Sequence, residues 1–106
     1  MKGILEFEGE YNYEKKWNGK GYDKNGNIIY EIKNGSGFIK EYDDEGDLIF
    51  EGEYLNFKKN GKGKEYDYGK LIFEGEYLNG NRWNGKELVY SRHLIFEREY
   101  INGEIK

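Results

Sequence analysis

The sequence predicts an all-β protein that forms one elongated, twisted, antiparallel sheet of tandem β-hairpins. Three observations support this prediction. The block Phe-Glu-Gly-Glu-Tyr-Leu-Asn at residues 50–56 returns at 73–79, apolar and charged residues alternate inside it, and Asn-Gly pairs separate the alternating runs. A repeat of this length forms one supersecondary unit, which cannot bury its apolar face alone. We therefore expect neighbouring hairpins to stack and to share a continuous core.

The repeat extends along the whole chain. Weaker copies of the block begin at Phe7, Tyr30 and Phe96, and the rings at positions 50, 73 and 96 are 23 residues apart. A chain of 106 residues can bury a modest core as one domain. We expect residues 1–106 to form a single domain of about four hairpin repeats and a C-terminal half repeat.

Each copy of the block has the alternation of a half-buried strand. Phe50, Gly52 and Tyr54 point to one face, and Glu51 and Glu53 point to the other. One face of the sheet is thus predicted to be aromatic and the other acidic. The glycines on the aromatic face should leave room for a ring from a neighbouring strand.

The Asn-Gly pairs predict the hairpin turns, because asparagine and glycine accept the positive φ that tight turns require. Glycine is also frequent enough along the chain to disfavour helices. The pairs begin at Asn18, Asn25, Asn34, Asn60, Asn79, Asn84 and Asn102.

The composition excludes several functional classes. The chain carries 17 basic and 21 acidic residues, so its net charge of −4 gives no general attraction to nucleic acid. It contains no cysteine, and we find neither a secretion leader nor an apolar run that could span a bilayer. We therefore expect a cytoplasmic protein that does not bind nucleic acid.

The strand and turn motifs together resemble the MORN repeat, the membrane occupation and recognition nexus motif. The resemblance lies in Phe7-Glu-Gly-Glu-Tyr11, Phe50-Glu-Gly-Glu-Tyr54 and Phe73-Glu-Gly-Glu-Tyr77, with the following Asn18-Gly-Lys-Gly21, Asn60-Gly-Lys-Gly63 and Asn84-Gly-Lys86. It implies a solenoid-like meander of stacked hairpins with a groove, used as a scaffold or protein-binding module. Some members are associated with phosphoinositides, and some pair end to end.

Three copies depart from the repeat pattern. Ile32 takes a glycine position in a shorter second hairpin, Glu87 replaces a glycine in the fourth copy, and Arg98 does so in the fifth. An inward charge such as Arg98 discourages pairing at a terminal strand. The same strand is nevertheless apolar, since it contains Leu94 and Phe96, so pairing into a homodimer is the alternative.

The inventory of reactive side chains argues against an enzyme. His93 is the only histidine, and it matches a connector between repeats and not a catalytic base. We expect the glutamates to form cross-strand pairs with Lys62 and Lys64, and we read the acidic run at 43–47 as a solvated turn. No catalytic residue, metal site or cofactor is predicted.

These observations lead to three hypotheses about function. The first is a scaffold that binds an unidentified protein through its aromatic face, formed by Phe50, Tyr54, Tyr66, Phe73, Tyr77, Phe96 and Tyr100. The second is phosphoinositide or membrane-surface binding through basic hairpin tips, formed by Lys15, Lys16, Lys58, Lys59 and Arg82. The third is an antitoxin or immunity-like protein that neutralises an effector.

Overall fold

The fold was examined in a computed structural model, which describes residues 7–12, 15–23 and 25–106; for residues 12 and 15–17 it describes only the backbone. These residues form ten strands and no helix. The strands are β1 (Phe7–Asn12), β2 (Lys15–Tyr22), β3 (Ile28–Lys33), β4 (Ser36–Tyr42), β5 (Leu48–Leu55), β6 (Lys58–Asp67), β7 (Lys70–Leu78), β8 (Asn81–Ser91), β9 (Leu94–Ile101) and β10 (Glu104–Ile105).

The strands lie side by side in chain order, each antiparallel to the next, and form one open sheet. The sheet measures 40 by 30 by 20 Å along its principal axes. The predicted all-β meander is therefore confirmed. The fifth copy of the repeat differs from the expected single strand, because β10 adds two residues that pair with Tyr100 and Ile101.

Four of the seven Asn-Gly pairs lie in loops or turns, as predicted. Asn34, Asn79 and Asn102 have φ angles of 53°, 50° and 52° and begin two-residue hairpin turns, and Asn25 lies in the loop between β2 and β3. For the other three the prediction was wrong, because they lie inside strands. These pairs begin at Asn18 in β2, Asn60 in β6 and Asn84 in β8.

The three asparagines inside strands connect one hairpin to the next. The side-chain oxygen of Asn60 accepts a hydrogen bond from the backbone N–H of Asn79, the first turn residue of the following hairpin, at 3.1 Å. Asn84 does the same for Asn102 at 2.9 Å. The turn N–H therefore has a hydrogen-bond acceptor within the protein and does not need a water molecule as its partner. These bonds fix the stacking of successive repeats along one edge of the sheet.

The core lies on one face of the sheet and has two parts. Tyr30, Ile32 and Ile39 form the first, and Phe50, Phe73 and Tyr77 form the second. Tyr54 packs against both. Because no second layer of the described chain packs on this face, these rings cover one another.

Glycines let the rings lie directly on the backbone of the neighbouring strand. A Cβ atom on Gly63 would come within 2.9 Å of the rings of both Phe50 and Tyr77. At Gly52 a Cβ would come within 2.6 Å of the Cα of Gly63. The predicted role of the glycines, to make room for a ring from a neighbouring strand, is confirmed at Gly63, whereas Gly52 makes room for the backbone of β6.

The last long hairpin, β8 with β9, is built differently. In β6 and β7 the glycines Gly63 and Gly75 face each other, but the equivalent positions of β8 and β9 hold Glu87 and Arg98. The pairing of β8 with β9 runs through seven consecutive residues without a bulge, whereas the pairing of β6 with β7 shifts register once. The C-terminal end of the sheet is therefore locally more regular.

Candidate functional site

The predicted aromatic face exists as a continuous ladder of rings, and it is closed in its middle. Tyr54, Phe50, Tyr77, Phe73 and Tyr100 contact one another in that order, edge to face, with centroid distances of 5.9, 5.4, 5.4 and 5.5 Å. Phe50, Phe73 and Tyr77 are at most 4% exposed. These three residues form the core and offer no surface to a partner.

Tyr66 lies on the opposite face from the one that the sequence analysis assigned. Its hydroxyl donates a hydrogen bond of 2.6 Å to Glu51, whose neighbours Phe50 and Gly52 are buried on the aromatic face. The preceding residue, Glu65, binds Tyr77 on the aromatic face. Neighbouring residues of a strand point to opposite faces, so Tyr66 belongs to the charged face.

The C-terminal end of the aromatic ladder is open. Phe96 stands where Phe73 stands one repeat earlier, yet it is 49% exposed, whereas Phe73 is fully buried between Tyr77 and Tyr100. Leu94 and Ile95, its neighbours on β9, are 60% and 63% exposed. Three consecutive large apolar residues thus face solvent on one strand.

The backbone of β9 is also open along part of its outer edge. The carbonyl oxygen of Glu99 accepts a hydrogen bond from the N–H of Lys106 beyond β10, so Glu99 directs its backbone groups outward. Backbone groups alternate sides along a strand, and those of Ile95 and Glu97 therefore also point outward. No strand of the described chain pairs with them.

Arg82 organises a cluster of charges next to this edge. Its guanidinium binds Glu65 through two contacts of 2.7 and 3.1 Å and Glu87 at 2.8 Å. It also lies over the ring of Phe73, 4.7 Å from the centroid. Glu87 in turn binds Arg98 at 2.7 Å. Glu87 and Arg98, the two charged residues at glycine positions of the repeat, thus form an ion pair that extends the cluster to β9.

The cluster holds its carboxyl groups in the charged form. Burial raises the pKa of Glu65, but hydrogen bonds from Arg82 and Tyr77 outweigh it and hold the pKa below its ordinary value. Glu87 has a lowered pKa for the same reason, with Arg82 and Arg98 as donors. Burial and the bond to Glu65 raise the pKa of Tyr77.

Two of the three basic tip residues whose side chains the structure describes are engaged by other groups. Arg82 is engaged by two carboxylates, and the ammonium group of Lys59 lies 4.3 Å from the centroid of the Phe50 ring. Lys58 is exposed. The side chains of Lys15 and Lys16 lie outside the described residues.

His93 and the acidic run at 43–47 both lie in connections between strands. His93 lies in the exposed turn between β8 and β9. In the acidic run at 43–47, Asp43 caps its own turn by accepting the N–H groups of Glu45 and Asp47 at 2.9 Å. The described residues include no group of acids and histidine that could hold a metal ion, and no helix that is long and apolar enough to cross a membrane.

The fold defines a tandem β-hairpin protein whose open sheet ends at β1 on one side and at β9 and β10 on the other. Comparison with models of protein families, with curated proteins and with solved structures finds no match. The similarity to MORN repeats therefore stays a prediction based on the strand and turn motifs.

Proposed function

We propose that this protein is a non-catalytic interaction module that binds another protein by accepting one of its strands at the outer edge of β9. The proposal depends on one observation, the coincidence of open backbone groups with exposed apolar side chains. The N–H and C=O groups of Ile95 and Glu97 point outward, and Leu94, Ile95 and Phe96 are exposed on the same strand. Strand addition satisfies such groups and covers such side chains together.

The open edge is short, which favours a defined docking site over indefinite aggregation. β10 covers the outer edge at Tyr100 and Ile101, so the free part runs from Leu94 to Arg98. A strand of five residues is about 17 Å long. Phe96 gives this segment an aromatic anchor, the kind of residue on which protein interfaces depend.

The aromatic face as a whole supports the interaction differently from the sequence-based hypothesis. Its centre is buried and serves as the rigid support of β9, because Phe73 packs against Tyr100 and Arg82. The proposed contact surface is therefore the exposed segment of β9 around Phe96, and not the buried rings along the rest of the face. The engagement of Arg82 by two carboxylates gives the lipid hypothesis no support.

A proline at position 95 tests the proposal. Ile95→Pro removes an outward N–H without breaking the pairing with β8, which uses the inward groups. Short random peptides displayed on phage are selected on the wild-type protein and then tested on Ile95→Pro and on Ile95→Thr, which keeps the N–H. We expect selected peptides to lose binding on Ile95→Pro and to keep a part of it on Ile95→Thr.

Two measurements make the result decisive. Circular dichroism and thermal unfolding of both variants verify that the sheet is intact. Peptides that bind the wild type and folded Ile95→Pro equally well would show that the edge is not used, and the proposal would then be rejected.

A further inference from the structure

We infer that the strand received by β9 is basic, with a lysine or arginine opposite Glu97. This inference rests on the proposed function and specifies the chemistry of the partner. It derives from the repeat itself, because in three of the four preceding copies a lysine stands opposite the equivalent glutamate, whereas Glu31 of the second copy has no lysine partner in β4. Glu8 faces Lys20, Glu51 faces Lys64 and Glu74 faces Lys86. In each pair the lysine lies on the strand that follows the glutamate's strand in the sheet, which is the side that is open in β9.

Glu97 is the next member of this series. It follows Glu51 and Glu74 at the same spacing, and it lies in β9 as they lie in β5 and β7. Its side chain is 60% exposed. On its outer side no strand of the described chain supplies the lysine that its equivalents have.

The charges around Glu97 leave an excess of negative charge at the edge. Its contact on the inner side is Lys86, at 3.9 Å, and Lys86 also faces Glu74 and Glu99 across its two neighbouring strands. Glu74 also contacts Lys64, at 3.9 Å, so Lys86 is left as the lysine partner of Glu97 and Glu99. On the charged face the free segment itself presents Ile95 and Glu97, and Lys106, which lies beside Glu99, contacts Glu104. We therefore expect the cation opposite Glu97 to come from the incoming strand.

A second copy of the chain does not supply this cation. If two β9 strands pair antiparallel with their aromatic faces on the same side, Glu97 comes opposite Ile95, Glu97 or Glu99 of the other copy. If one copy is turned over, Glu97 lies against Leu94, Phe96 or Arg98 of the other, and Arg98 is already bound by Glu87. Like charges placed opposite each other in a sheet are destabilising, so the charge pattern favours a different, basic partner.

The aromatic face adds a second requirement for the incoming strand. The residue opposite Phe96 lies on the same face as its half-exposed ring. Arg98 is held by Glu87 and turns its charge away from the edge. The partner strand therefore alternates basic side chains on the charged face with a side chain that covers Phe96 on the other face.

The chain itself provides a suitable probe. The C-terminal half of β6, residues 63–67 with the sequence GKEYD, lies along the outer edge of β5 and sets Lys64 opposite Glu51. In the same register on β9 it would set that lysine opposite Glu97. Because this register also sets Glu65 opposite Phe96, the probe carries leucine in place of Glu65. A fluorescein-labelled peptide GKLYD and a control peptide GELYD, in which Lys64 is replaced by glutamate, are titrated with the protein, and fluorescence anisotropy reports binding.

We expect the lysine peptide to bind wild type about tenfold more tightly than the glutamate peptide at low salt, because attraction replaces repulsion at exposed cross-strand pairs. The ratio should shrink at high salt. Glu97→Lys should invert the preference, and Glu97→Gln should reduce it. Both substitutions are on an exposed side chain, so the variants are expected to fold, and thermal unfolding verifies this.

The possible outcomes separate this inference from the proposed function. Equal binding of both peptides to the wild type, lost on Ile95→Pro, overturns the basic preference and leaves strand addition intact. A wild-type protein that binds neither peptide overturns the inference, and the phage selection then decides about the proposed function. A wild-type dimer in sedimentation that Ile95→Pro dissociates identifies a second copy as the occupant, which also overturns the inference.

Discussion

Replacing Arg82 by alanine should destabilise the protein more than any other removal of a surface cation. Arg82 is the shared partner of Glu65 and Glu87, and its side chain is 19% exposed, compared with 20% and 16% for the two carboxylates. The substitution leaves both acids partly buried without their main donor. It also uncovers the ring of Phe73, over which the guanidinium lies.

The expected loss follows from the burial of the cluster. Removing one partner of a fully buried ion pair costs about 3–5 kcal/mol, whereas an exposed pair contributes about 0–1 kcal/mol. Tyr77 still donates to Glu65 and Arg98 still binds Glu87 in the variant. We therefore expect Arg82→Ala to lower the free energy of unfolding by about 2–3 kcal/mol.

Urea denaturation at neutral pH measures this loss, with Lys59→Ala as the matched control. Lys59 occupies the equivalent place one repeat earlier and lies over the ring of Phe50 as Arg82 lies over that of Phe73. Lys59 also has the Tyr77 ring at 5.9 Å and acts on Glu65 through its charge. A cation–π contact contributes about 0.5–1 kcal/mol, so the control should lose about 1 kcal/mol, less than Arg82→Ala. An equal loss in the two variants would refute the assignment of the effect to the carboxylates.

The effect of Arg82→Ala should also depend on pH. In the wild type the folded-state pKa values of Glu65 and Glu87 lie below the ordinary value of 4.5. Their contribution to stability is therefore present above pH 4.5 and is lost as the pH falls through the lowered values. The difference between the wild type and the variant should shrink in acid, and a difference that is the same at neutral and at strongly acidic pH would contradict the reasoning.

Three further predictions concern the sheet. Gly75→Ala places a Cβ against the backbone of β8 and should lower the free energy of unfolding by about 3 kcal/mol or more. Gly69→Asn, in an open turn with a φ of 79°, should lower it by less than about 1 kcal/mol. Thermal unfolding measures both losses, and similar losses would refute this prediction. Asn60→Ala removes the acceptor of the next turn and should cost about 1 kcal/mol, with faster hydrogen exchange at that turn N–H as its signature; unchanged exchange would contradict it. Burial and the hydrogen bond to Glu51 raise the pKa of Tyr66 to about 12, so its share of stability should be present below pH 10 and lost as the pH rises toward 12. Ultraviolet titration of the wild type and of Tyr66→Phe should show one late-ionising tyrosine fewer in the variant, and identical curves would count against this.

Much of the sheet was predictable because it is encoded by short-range patterns. The alternation around Phe50 and Phe73 gave the correct buried face, since the pleat of a strand fixes the side of every second residue. Glu65 lies on the aromatic face. The same rule, counted from Glu65, would have placed the next residue, Tyr66, on the charged face. The positions of Glu87 and Arg98 were noted as departures from the repeat, but their pairing required the register of two strands.

The sequence by itself determined the strand pattern, the repeat length and the chemical difference between the two faces, because these depend on neighbouring residues and on the steric limits of the backbone. Only the tertiary structure decided the function of each Asn-Gly pair. An Asn-Gly pair fits a tight turn or a strand interior, and at Asn60 the choice depends on a turn in the next hairpin. The open edge of β9 was likewise decided by the tertiary structure, because exposure is a property of what the rest of the chain covers.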